Sequence, residues 1–417
     1  MKKLEVFGAA KLKGQVKISG SKNASLPILA ATLLSNRKIL LTNLPKVKDI
    51  ETMMLLLKSL GKIIYNKKNL TTIKSSKKLK TFASYNLVKT MRAGILVLGP
   101  LLAKFGKAKV SLPGGCAIGT RPIDIHLKAL SKLGVKYKIY QGYVYAKASK
   151  GLIGTNIKFS KISVGATENL IIAACLAKGT TRLSNCAIEP EVKDLVNFLI
   201  KMGCNIEWTS KRTIKIEGVT NLKETNYSVM PDRIEAGTYL IATALTEGYL
   251  KIIGIRHKII STEINILKKI GAKIILKKNE IIIKGNKKIK NVNIKTSPYP
   301  GFPTDLQAQM MVLLCKANKK SYITEDIFEN RFMHVAELNR MGAKISINGN
   351  KSSIEGNIKF KAAELMATDL RASVSLILAA LVAKGKSVIN RIYHLDRGYE
   401  EIEKKLKKLG VKIRRIS

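Results

Sequence analysis

One phrase, a large apolar residue followed by glycine at the end of a helical pattern, recurs six times in 417 residues. The copies are Leu60-Gly61-Lys62-Ile63, Leu133-Gly134-Val135-Lys136, Met202-Gly203-Cys204-Asn205, Ile270-Gly271-Ala272-Lys273, Met341-Gly342-Ala343-Lys344 and Leu409-Gly410-Val411-Lys412. They stand roughly 70 residues apart, longer than common solenoid periods but found by the same self-similarity test. Each closes an amphipathic helical stretch and opens an apolar strand, as in Ala272-Lys273-Ile274-Ile275-Leu276, so the glycine reads as the left-handed residue that stops a helix. Upstream of each lies a further strand and helix, such as Val16-Lys17-Ile18 before Leu26 to Leu34, or Tyr227-Ser228-Val229 before Ala236 to Leu245. These helices are apolar nearly all round, which predicts burial. Six such units, each with about two helices and several short strands, predict an α/β protein whose sheets enclose apolar helices.

Three units per domain make two similar lobes, with the break in the aperiodic stretch Asn226 to Pro231. The strand region Leu4 to Ser19 precedes the first repeated helix and is expected to complete the last lobe, giving a second crossover near Gly20-Ser21. The domains expected are therefore 21–229, and 1–20 with 230–417. A cleft between two such lobes is the default ligand site, and hinge closure the motion it permits.

Composition excludes several classes. Five cysteines (116, 175, 186, 204 and 315) are scattered without a CxxC pair or a His at ligand spacing, so neither a disulfide framework nor a metal site is expected. Cys175, inside the apolar run Ile171 to Ala177, reads as a core residue. The opening residues Met1 to Gly8 lack a signal-peptide stretch, and no run of about 18 uncharged apolar residues occurs, so a cytoplasmic protein without a membrane partner is expected. The net charge of +47 points by itself to a polyanion. Its distribution points elsewhere: the 75 basic residues are mostly Lys, spread throughout a chain only 6% aromatic, and they travel with Ile and Asn as AT-rich codons favour. Nucleic-acid binders concentrate charge and add stacking rings, so no nucleic-acid partner is expected, although attraction for phosphorylated metabolites is a by-product.

Chemistry is concentrated in a few phrases. In Pro113-Gly114-Gly115-Cys116-Ala117-Ile118-Gly119-Thr120-Arg121-Pro122-Ile123-Asp124 a lone thiol stands near an arginine in a loop loosened by glycine and stiffened at its ends by proline. Fixed positive charge acidifies a thiol, so Arg121 both tunes Cys116 and offers an anion site; the alternative is an inert cysteine in a surface turn. Helix starts repeat polar groups beyond capping needs: Gly20-Ser21-Lys22-Asn23, Thr90-Met91-Arg92, Asp232-Arg233, Pro303-Thr304-Asp305 and Thr368-Asp369-Leu370-Arg371. Repetition favours anion binding there over simple solvated caps. In a chain that prefers Lys, the arginines of Phe328-Glu329-Asn330-Arg331-Phe332 and Leu395-Asp396-Arg397-Gly398-Tyr399 suit carboxylate and phosphate oxygens, unless they merely pair with Glu329 or Asp396.

Taken in order, Ser21-Lys22-Asn23-Ala24, the Cys116 loop, Pro303-Thr304-Asp305, the Arg331 turn and Asp396-Arg397-Gly398-Tyr399 closely resemble the motifs of the UDP-N-acetylglucosamine 1-carboxyvinyltransferases, a family of enolpyruvyl transferases in bacterial peptidoglycan synthesis. The resemblance runs nearly end to end, and the cysteine loop is specific to that family within its superfamily. It implies a two-domain inside-out α/β barrel built from six repeated folding units. It implies addition of a sugar 3′-hydroxyl to phosphoenolpyruvate, with Cys116 as general acid, Asp305 taking or orienting the hydroxyl proton, and Lys22, Arg121 and Arg397 on the phosphate. Arg331 and Arg371 would face the carboxylate. UDP-sugar contacts carry over to Asn23, Arg92, Arg121, Pro122, Ile123, Asp124, Ile125, Lys161, Ser163, Val164, Gly165, Asp305 and Ile327. His126, His394 and Glu189 are weaker candidates, and His126 serves equally well as a satisfied core histidine. No cofactor and no metal are implied, and a monomer is expected. The rivals are the sister enzyme that makes enolpyruvylshikimate phosphate, set apart by the cysteine loop, and a catalytically silent basic protein on the same scaffold.

Overall fold

The computed structural model describes residues 2–76, 78–114 and 123–416. They form two compact units, one of residues 2–19 and 231–416, the other of 20–114 and 123–230. Each has its own hydrophobic core.

Both units are built from one pattern. Every sheet has four strands, an edge strand running parallel to the second and two more joined antiparallel. In one unit, Asn156–Lys158 lies parallel to Thr180–Ser184, which pairs antiparallel with Thr213–Glu217 and that in turn with Asn205–Ser210. Between parallel neighbours the chain passes through a helix, as antiparallel hairpins need not. Strand Lys13–Lys17 pairs parallel with Tyr249–Ile253, and Lys3–Phe7 sits between Lys386–Asn390 and Ile413–Ile416. The strand Thr225–Ser228, which directly precedes helix Arg233–Leu245 in sequence, instead pairs with Ile39–Thr42 inside the unit of 20–230. Local alternation specifies a strand but not its partner.

Each sheet is served by two kinds of helix. Lys22–Ala31 buries every residue from Ala24 onward, Arg233–Leu245 buries all thirteen, and Gln307–Leu314 all eight. Within their unit, Arg233–Leu245, Gln307–Leu314 and Leu370–Val382 pack on one another. A Cβ on Gly237 would stand 2.3 Å from Leu306 Cδ1, so only glycine permits that approach. The second helix of each unit, such as Ser261–Ile270, buries one stripe and ends at the repeated glycine. All six repeat glycines have positive φ: 101° at Gly61, 92° at Gly134, 99° at Gly203, 115° at Gly271, 91° at Gly342 and 90° at Gly410. A side chain in that region costs about 1–2 kcal/mol, which explains why the mark is glycine each time.

Candidate active site

The most organised polar cluster lies in the unit of 231–416. Asp305 occupies a 3₁₀ turn, Thr304–Leu306, that leads into Gln307–Leu314 and is pinned by fully buried Leu306. Arg331 Nη2 donates to Asp305 Oδ1 at 2.8 Å, and Arg371 Nη2 donates to Oδ2 at 2.6 Å. Both guanidiniums are buried while the Asp305 side chain keeps a quarter of its surface, so the carboxylate is the exposed face of an otherwise covered triad. Arg371 is the second residue of Leu370–Val382, whose cap Asp369 accepts from the Arg371 and Ala372 amides. Its Nη1 donates to Tyr399 Oη at 3.2 Å, and that hydroxyl stands 2.8 Å from Thr238 Oγ1. Gln309 Nε2 completes the network, reaching the Asp305 carbonyl at 3.0 Å and both hydroxyls at 3.3 Å. Burial alone would lower the Arg371 pKa, but the Asp305 carboxylate outweighs it and holds the guanidinium charged.

The surroundings sort the remaining candidates. Arg331 lies over the Phe328 ring, its guanidinium carbon 5.4 Å from the centroid. Ile327 N and Phe328 N donate to Glu325 Oε1 at 2.9 and 3.1 Å, while Thr304 Oγ1 donates to Glu325 Oε2 at 2.8 Å. Arg397 ends the turn Ile392–Arg397; burial and then the Arg397 charge hold the His394 pKa down. Asp396, the alternative ion-pair partner, is gripped by both Arg415 terminal nitrogens at 2.8 and 2.9 Å. His334 is buried nearby, and burial pulls it down to about 4.

The unit of 20–230 carries the other candidates at helix starts. Ser21 caps Lys22–Ala31 by accepting from Ala24 N, and Lys22 Nζ stands 3.5 Å from Asp49 Oδ2 with both side chains nearly covered. Asn23 follows in the same turn. Arg92 opens the 3₁₀ helix Arg92–Val97. Ile123 precedes and Asp124 and Ile125 begin the helix Asp124–Lys132, where Lys128 pairs with Asp124 at 3.6 Å. Ser163 caps Val164–Ala174, Val164 is exposed, and a Cβ on Gly165 would touch His126 Cε1 at 3.4 Å. Lys161 is exposed on the approach to that helix.

Asn169 joins three of these segments. Its Nδ2 donates to Ile95 O at 3.2 Å and lies 3.1 Å from His126 Nδ1, while its Oδ1 accepts from Gly99 N at 2.8 Å. Burial, then Arg92, brings His126 down to about 4, so the imidazole is neutral near pH 7 and bonded to Asn169. Asn169 and Glu325 were not singled out in the sequence. An amide at the head of the apolar run Leu170 to Ala174 was the one available signal, since apolar helices rarely admit one without a bonding role.

Cys116, Arg121 and Pro122 lie outside the described residues. Cys175, Cys186, Cys204 and Cys315 are buried free thiols, and burial raises the pKa of Cys175, Cys186 and Cys315. Among the described residues no helix is long and apolar enough to cross a membrane.

A family model, EPSP synthase (3-phosphoshikimate 1-carboxyvinyltransferase), matches residues 6–406. The UDP-N-acetylglucosamine 1-carboxyvinyltransferase of Pelagibacter ubique is 84% identical over 417 residues, covering all of both chains. The protein of the same name from Vesicomyosocius okutanii is 53% identical over 419 residues, again across all of both chains. Among solved structures, the enolpyruvyl transferase NikO from Streptomyces tendae superposes with a TM-score of 0.91 at 24% identity, covering 99% of this chain and 98% of that one. EPSP synthase from Acinetobacter baumannii gives 0.77 at 17% identity over all of both chains. These two likenesses show the fold alone, the six-unit inside-out α/β class. The full-length identity to the named relatives shows more: the chain belongs to the UDP-N-acetylglucosamine 1-carboxyvinyltransferase family of enolpyruvyl transferases.

Proposed function

We propose that this enolpyruvyl transferase moves the enolpyruvyl group of phosphoenolpyruvate to the 3′-hydroxyl of UDP-N-acetylglucosamine, releasing phosphate in the first committed step of peptidoglycan synthesis. The observation that carries the reading is the Asp305 carboxylate held between two buried guanidiniums, 2.8 Å from Arg331 and 2.6 Å from Arg371. The full-length identity to relatives named for this reaction supports the choice of acceptor.

The chemistry needs a base for a hydroxyl, an acid for a carbon, and clamps for two anions. Both Asp305 oxygens are engaged by arginine. When the phosphoenolpyruvate carboxylate takes a guanidinium, one Asp305 oxygen is released to accept the acceptor's hydroxyl proton. The sugar oxygen then bonds to the central carbon of phosphoenolpyruvate as the Cys116 thiol protonates its methylene carbon. Return of a proton from that methyl group to the Cys116 thiolate and cleavage of the carbon–oxygen bond to phosphate, which takes the proton held by Asp305, give the enolpyruvyl ether and inorganic phosphate. Lys22, Arg121 and Arg397 hold the phosphate in this reading. The sugar nucleotide lies against Asn23, Arg92, Arg121 to Ile125, Lys161 to Gly165 and Ile327 in this reading, where the positive ends of helices suit a diphosphate.

The test mixes the protein with UDP-N-acetylglucosamine and phosphoenolpyruvate and follows phosphate release, beside Cys116→Asp and Cys116→Ser. Wild type is expected to turn over, Asp to keep proton donation in part, and Ser to lose far more because its hydroxyl is a much weaker acid. Equal rates in all three remove Cys116 from the acid role. Turnover with 3-phosphoshikimate in place of the UDP-sugar transfers the chain to the sister reaction.

A further inference from the structure

We infer that Glu325 is a positioning residue of the transferase site, joining the turn that carries Asp305 to the loop that carries Ile327. The inference rests on the proposed roles of those two residues. Glu325 is 2% exposed and sits at the end of strand Ser321–Thr324. One carboxylate oxygen accepts the Thr304 hydroxyl at 2.8 Å, and the other accepts the amides of Ile327 and Phe328 at 2.9 and 3.1 Å. Thr304 directly precedes Asp305 in the chain. Phe328 carries the ring beneath Arg331, and Arg331 returns to Asp305 at 2.8 Å. A closed circuit results: Glu325, Thr304, Asp305, Arg331, Phe328 and back to Glu325.

Its own strand end is fixed independently. Glu325 N donates to Asn350 O at 2.8 Å, and Asp326 N donates to Thr296 Oγ1 at 3.0 Å. The carboxylate therefore projects from the end of an inner strand, paired on both sides, toward two segments of irregular backbone. Placing the Asp305 turn and the Ile327 loop by charge-assisted bonds to one buried group removes independent motion between proton acceptor and sugar contact. A misplacement on the order of 1 Å costs such a site about 10²-fold in rate.

The two arms of the carboxylate separate in kinetics. Losing the Thr304 bond frees the Asp305 turn and lowers kcat; losing the amide bonds frees the Ile327 loop and raises KM for UDP-N-acetylglucosamine. Glu325→Ala is expected to lower kcat about 10²-fold and raise that KM about tenfold. Glu325→Gln recovers most of both, because its carbonyl accepts the two amides and its NH₂ donates to a Thr304 hydroxyl turned round. Thr304→Val lowers kcat with KM for the sugar nucleotide unchanged, and combining it with Glu325→Ala brings no further loss of kcat, since both remove one bond.

Steady-state kinetics and a melting curve on each full-length variant make the test. Wild-type kcat and KM in Glu325→Ala, even with a lowered melting temperature, overturn the inference and leave a merely structural carboxylate. So does a Thr304→Val defect confined to KM, or multiplicative losses in the double variant. If Glu325→Ala does not fold, the Thr304→Val split decides alone. A wild type that releases no phosphate from the two substrates takes down the underlying reading and the inference together, whereas turnover in wild type with no defect in Glu325→Ala removes the inference only.

Discussion

Asp305→Asn tests the triad most directly, because it deletes one charge and almost no volume. Wild-type Asp305 accepts from two guanidiniums at 2.8 and 2.6 Å whose side chains are only 5% and 6% exposed. Asparagine has one acceptor oxygen, so one arginine loses its bond and faces an NH₂ donor while two like charges stay buried together. Removing one partner of a buried pair costs about 3–5 kcal/mol; a quarter of the Asp305 surface meets water, which lowers the expectation to roughly 2–4 kcal/mol. In a unit of about 200 residues that is a fall of roughly 5–15 °C in melting temperature. Differential scanning calorimetry measures it, and added inorganic phosphate should restore more of the loss in Asp305→Asn than it adds to wild type, because the bared guanidiniums become an anion site. Turnover should drop about 10²–10⁴-fold with the base gone. An Asp305→Asn protein that melts with wild type and ignores phosphate would falsify the argument that this carboxylate neutralises buried charge.

Two further predictions concern pH. Burial depresses His126 and His334 to about 4, below an unfolded value near 6.5, so the native state excludes protons that the unfolded chain takes up. Their stabilising share is complete above about pH 6.5 and is lost as pH falls toward 4, by roughly 2–3 kcal/mol each; urea midpoints between pH 7 and 4.5 should fall, and fall less in His334→Gln. Lys62, nearly covered and donating to Ser35 O at 2.7 Å and Ser75 Oγ at 2.8 Å, is depressed by burial and then by Lys104 to about 7. Stability should therefore rise from pH 7 toward 10, and Lys62→Met, which leaves Ser35 O its bond from Ser75 Oγ, should flatten the rise to the share of Lys104, which burial holds down to about 8; an identical slope in the variant refutes a depressed Lys62.

The repeat was legible because its cause is local. A left-handed helix stop demands glycine wherever it occurs, and an all-apolar helix has no solvent face to offer, so six stops and their buried helices follow from short stretches of chain. Partnership is different. Nothing local in Thr225–Ser228 tells it to pair with Ile39–Thr42, some 186 residues away at Tyr227 and Leu41. The same distance in sequence hid the triad: Arg331 and Arg371 were visible as arginines in a lysine-rich chain, but their shared bond to Asp305 spans 26 and 66 residues. Asn169 and Glu325 escaped for a further reason, since each acts on backbone amides and carbonyls, which carry no mark in a sequence.

The fold itself explains why the candidate residues collect at helix starts. A helix buried on all sides cannot carry charge along its length without desolvating it, and its interior polar residues are accordingly neutral and bonded, hydroxyls to their own backbone, as with Ser25 on Ser21 O, Thr243 on Tyr239 O and Ser375 on Ala372 O, and amides to neighbouring groups, as with Asn169 and Gln309. Glu168, deep in Val164–Ala174, is the exception that follows the rule: burial first, then Glu191 and Glu189, drive its pKa far up and favour the uncharged acid. At the first turn the terms reverse. First-turn amides have no partner within the helix and favour negative charge, and the caps Ser21, Ser163, Asp232 and Asp369 each accept from one or two of them. Lys22, Arg92, Asp305 and Arg371 all stand within a turn of such a start, so in these helices the repeated architecture sets charged side chains where first-turn amides also favour anions.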